Sequence, residues 1–90
     1  MKENIQLRIE QVTSVYHNKK DFIKVSPTTS IKFVKEDEGK LFHSSDGFHR
    51  ENTLTVLRKE DNKKYTIFVQ ENGDDEDDLQ VTFVGGFTIK

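Results

Sequence analysis

The chain has 90 residues and a formal net charge of −2, with 33% charged against 32% hydrophobic residues, and seven phenylalanines. That length leaves room for one hydrophobic core, and the aromatics carry enough burial to exclude a disordered chain. No cysteine is present, which excludes disulfides, thiolate metal sites and a cysteine nucleophile and fits a cytoplasmic location; no apolar run has the length of a leader or a membrane span, so no membrane association is expected.

From the N-terminus, Asn4 to Val12 alternates Ile5, Leu7 and Ile9 with Gln6, Arg8 and Glu10, which predicts a half-buried strand, prolonged past a bulge by Val12 and Val15. A turn through Asn18 leads to a second strand over Lys20 to Ser26, which Pro27 ends because proline cannot donate to a ladder. Ser30 to Lys35 reads as a third strand, with a short helix near residues 30–36 as the alternative, and the run from Glu36 to Gly39 closes it as a turn. Leu41 to Arg50 contains the turn signal Ser44-Ser45-Asp46-Gly47 and fits a short hairpin.

The clearest periodicity follows. Leu54, Val56, Tyr65, Ile67, Val69, Leu79, Val81 and Phe83 recur at every second position within their runs and so define one sheet face as the core face. A loop centred on Asp61-Asn62 pairs Val56 with Ile67 and Leu54 with Val69. On the opposite face Leu57, Phe68 and Val84 stand among Thr55, Thr66 and Thr82, so a further element is expected to cover part of it. Gly85-Gly86 marks a sharp bend before Phe87, Thr88 and Ile89. The expectation is a single all-β domain over residues 1–90, a small antiparallel barrel or sandwich of six to seven short strands.

Residues with chemical potential are few. His43, Ser44, Ser45, Asp46 and His49 combine a nucleophile with bases, but five neighbours in a turn are more simply a solvated turn whose side chains bond their own backbone. His17, His43 and His49 lack a standard zinc spacing, and no metal or cofactor is expected. Asp74, Asp75, Glu76, Asp77 and Asp78 form an acidic run without the alternate ligand spacing of a calcium loop; beyond keeping a loop solvated, it would suit docking on a basic partner. Lys20, Phe22 and Lys24 would share an outer face if Ile23 and Val25 point inward, an aromatic between two cations that suits stacking of a nucleic-acid base. The plainer reading has lysine stems packed over a covered ring.

These features predict a non-enzymatic protein-binding module, a small inhibitor or regulatory accessory protein, acting through a charged surface or a strand edge, as a monomer or weak homodimer. A single-stranded nucleic-acid binder using Lys20, Phe22 and Lys24 is the alternative.

Overall fold

A computed structural model describes residues 2–90; Met1, the first residue of the expected 1–90 span, lies outside the described residues. The elements run β1 (Glu3–Ile5), α1 (Ile9–His17), β2 (Ile23–Ser26), β3 (Thr29–Asp37), β4 (Phe42–Ser44), β5 (Gly47–Arg58), β6 (Lys64–Gly73), β7 (Gln80–Val84) and β8 (Phe87–Ile89). The main sheet has the order β2-β3-β5-β6-β7, with β4 added to one end of β5, and every pairing is antiparallel. It curls into a half-barrel. The expected all-β architecture is therefore present as an open, curled sheet with one short helix.

That helix lies at the N-terminus, where a strand was expected. Ile5, Leu7 and Ile9 alternate like a strand, yet only Glu3–Ile5 pairs, with β8; from Ile9 onward the burial follows helical spacing, with Val12 and Val15 wholly buried and Tyr16 packed beside them. The Gln11 carboxamide accepts the Arg8 amide at 2.8 Å and donates to the Val25 carbonyl at 3.2 Å, so one side chain caps the helix and ties it to β2. Asn18 ends the helix, its amide and carboxamide both donating to the Ser14 carbonyl. The alternative helix near residues 30–36 is replaced by β3, whose Ile31 is buried between β2 and β5.

The β5–β6 register also differs from expectation. Leu54 pairs with Ile67, Val56 with Tyr65, and Asn52 with Val69. The four-residue loop Lys59 to Asn62 is closed by the Arg58 amide on the Lys63 carbonyl at 2.8 Å. Its last residue, Asn62, has φ 57, a conformation asparagine tolerates well, and this centres the loop one residue earlier than Asp61-Asn62. Because the partners move by two, the faces are preserved: Leu54, Val56, Ile67 and Val69 are fully buried.

On β7 the face does change. The ladder pairs Gln70 with Phe83 but Glu71 with Val81, so Thr82 is an extra residue that reverses the alternation. Val84, expected outside, is buried, and Phe83, expected in the core, is 57% exposed. Leu79 precedes the strand and is only half-buried. After the glycine pair the chain turns to join β1, and a side chain at Gly86 would collide with the Ile5 carbonyl. Helix α1, Ile5, Leu7 and Phe87 thereby close over one face of the sheet, completing a core with Val25, Ile31, Leu54, Val56, Ile67, Val69 and Val84.

Candidate functional site

The opposite, outer face of the sheet holds the two most exposed large apolar residues among those described, Phe68 and Phe83. Reading across the ladders, Lys32, Leu57 and Lys64 form one row, Lys35, Thr55 and Thr66 the next, then Asp37, Thr53 and Phe68, and then Glu51, Gln70 and Phe83. Phe68 is 55% exposed, although an element was expected to cover this face. Phe83 joins it there because of the β7 bulge, which no periodicity in the sequence announces. Together they form an apolar centre with a lysine-bearing end and, beyond Gln70 and Asn72, an acidic end.

At the lysine end, Phe22 precedes β2 and is 36% exposed. The cations over its ring are Lys32, at 4.9 Å from the centroid, and Lys59, at 5.8 Å. Lys24 of β2 pairs with Ser30 of β3, and Lys20 lies in the turn after α1. The geometry thus supplies lysines around Phe22, but the two nearest already sit on its ring, as lysines do when they shelter an aromatic. Pairing of Ile23 with Ile31 brings Lys32 alongside, a neighbour visible in the sequence once that register is known.

The acidic run forms an exposed turn between β6 and β7. Asp75 shapes it by accepting the Asp77 amide on its carboxylate and the Asp78 amide on its carbonyl, each at 3.1 Å. The five carboxylates Asp74, Asp75, Glu76, Asp77 and Asp78 are all exposed. With Asp46, Asn72 and Gln80, three of them border an open depression of about 370 Å³ beside the outer face. Among the described residues, no group of three or more His, Cys, Asp or Glu side chains is placed to hold a metal ion.

The histidines of the β4–β5 hairpin are engaged with aromatic neighbours. His43 stacks on Phe48 at 4.2 Å and His49 on Phe42 at 5.2 Å, the rings 9° and 14° from parallel. Ser44 donates to the Gly47 carbonyl and accepts the Asp46 amide. This is the turn chemistry expected of Ser44, to which Asp46 contributes its backbone amide. His17 is exposed at the end of α1.

Two polar clusters on the core face were not anticipated. Arg58 has only 10% of its side chain exposed and reaches Thr29 Oγ1 at 3.1 Å, the Thr28 carbonyl at 2.8 Å and the Asp61 carboxylate at 3.2 Å. The Tyr65 hydroxyl, then the Lys63 amide and the Arg58 guanidinium, hold the Asp61 carboxyl below the usual carboxylate range; the same hydrogen bond raises the Tyr65 phenol. At the other end of β5, the fully buried Asn52 donates to Glu71 and accepts the Gly39 amide at 3.1 Å, while Arg50 pairs with Glu71 at 3.3 Å and Glu38 at 3.6 Å. Burial pushes the nearby Tyr16 phenol well up. The signal for both clusters was present: Arg50, Asn52 and Arg58 continue the core-facing parity of Leu54 and Val56.

Compared with protein-family models, curated proteins and solved structures, the chain matches none. Among the described residues, no helix is long and apolar enough to cross a membrane.

Proposed function

We propose that this chain is a non-enzymatic protein-binding module that docks its partner on the outer sheet face, with Phe68 and Phe83 as apolar anchors and Asp74 to Asp78 as the charged flank. The observation that carries the reading is the pair of phenylalanines, 55% and 57% exposed on adjoining rows of the sheet. Such rings lose solvent contact only against another surface, and aromatic anchors dominate binding energetics at interfaces. The edge-strand route is weaker, because a side chain already bonds one carbonyl on each outer strand: Gln6 donates to the Val84 carbonyl of β7 at 2.9 Å and Gln11 to the Val25 carbonyl of β2. A role as an inhibitor or regulatory accessory protein, in the cytoplasm, belongs to the same reading. The stacked His43 and His49 and the self-bonded Ser44 favour binding over catalysis.

The test is affinity capture with the tagged chain, with and without nuclease, followed by titration of the purified partner. The expected partner is a protein, retained after nuclease and lost with Phe68→Ser/Phe83→Ser. Recovery of nuclease-sensitive complexes alone, lost in Phe22→Ala but retained in the double variant, would replace this reading with single-stranded nucleic-acid binding at Lys20, Phe22 and Lys24.

A further inference from the structure

We infer that the partner of the outer face is a second copy of this chain, docked about a two-fold axis that crosses β6 near Phe68; this rests on the protein-docking reading above. The argument is one of charge placement. Lys32 and Lys64 lie at one end of the face, with Lys35 one row further in and paired with Asp37 at 3.5 Å, and Asp74 to Asp78 follow β6 at the other end. Along β6, Lys64 precedes Phe68 by four residues and Gly73 follows it by five, about 13 and 17 Å at roughly 3.3 Å per residue. Phe68 is therefore close to the midpoint between the two charge clusters.

An isologous contact presents the same patch from both copies, so it is stable only when the patch complements itself under the two-fold. Here an axis in the plane of the face, perpendicular to the strands and passing Phe68, brings the lysines of each copy onto the acidic turn of the other. It also gathers Phe68 and Phe83 of both copies at the centre, sheltered by Thr53, Thr55 and Thr66. An axis parallel to the strands would oppose like charges and is disfavoured. The net charge of −2 per chain adds little overall repulsion. Because the sheet is curled, the contact is a strip centred on β6, with Phe83 of β7 on one side and Lys32 and Lys35 of β3 on the other; it is at the small end of specific interfaces, and self-association in the micromolar range is expected.

The experiment is sedimentation equilibrium of the full chain and of two charge-reversal variants, Lys32→Glu/Lys35→Glu/Lys64→Glu and Asp74→Lys/Asp75→Lys/Asp77→Lys, each checked by circular dichroism for an intact fold. The wild type is expected to move from monomer to dimer mass between about 1 and 200 µM at low ionic strength, with at least a tenfold weakening in 0.5 M salt. Each variant alone should remain monomeric, because it opposes like charges at both contacts, and an equimolar mixture of the two should recover the dimer. A wild type monomeric throughout, or a mixture that stays monomeric, overturns the inference. If the wild type is monomeric while a different protein is captured and lost with Phe68→Ser/Phe83→Ser, the docking reading stands and the second copy does not.

Discussion

Arg58 occupies a core-facing position level with Ile31, where the alternation calls for an apolar side chain. It is tolerated because its guanidinium is divided among Thr29, the Thr28 carbonyl and Asp61, so almost nothing charged is buried unpaired. Arg58→Leu should lower the unfolding free energy by about 2–4 kcal/mol, since it strips Asp61 and Thr29 of a partner, whereas Lys59→Leu at the neighbouring exposed position should change it little; paired urea melts check this. Asp61 also leaves a trace in the pH dependence. Its folded pKa is depressed, so its contribution is complete above the ordinary carboxylate value of about 4 and is lost as the pH falls through the folded value. The wild type should destabilise more steeply below about pH 4 than Asp61→Asn, measured as melting temperature against pH. Neither role was legible beforehand, because sequence parity says where Arg58 points but not which loop atoms lie within its reach.

The elements were legible where side-chain period and backbone pairing agree, and less so where a single residue resets the count. The core faces of β5 and β6 follow directly from Leu54, Val56, Ile67 and Val69. Val56→Asp and Ile67→Asp should each unfold the protein, while Thr55→Asp and Thr66→Asp should leave a cooperative transition, as thermal melts will report. The helix was hidden because Ile5-Leu7-Ile9 has the period of a strand, and the three-residue step from Val12 to Val15 is brief. The Thr82 bulge was hidden because an inserted residue leaves no composition signal and yet exchanges Phe83 with Val84. At the hairpin between β4 and β5, Gly47 has φ 116, and an added Cβ would sit 2.6 Å from the Gly73 carbonyl oxygen. Gly47→Ala should therefore cost at least about 1 kcal/mol in urea melts, more than the usual helix or strand penalty difference between these residues.

For the molecule as a whole, the acidic end and the lysine end of the outer face were visible as charge asymmetry along the chain, but the apolar centre between them was only half visible, through Phe68. If Phe68 and Phe83 serve recognition and not folding, Phe68→Ser/Phe83→Ser should change the unfolding free energy by no more than about 0.5 kcal/mol. A large loss in a denaturant melt would return these rings to a structural role. The ribbon of β1 and β8 has a separate, mechanical consequence. Glu3 faces Ile89, Asn4 faces Thr88 and Ile5 faces Phe87, so residues 2 and 90 flank the same end of the ribbon. Tension applied between residues 2 and 90 would pull these strands apart crosswise, breaking their hydrogen bonds one after another in place of loading them all in shear. The ribbon should open at low force like a zip, and only then would the load reach α1 and the long β5–β6 ladder behind it.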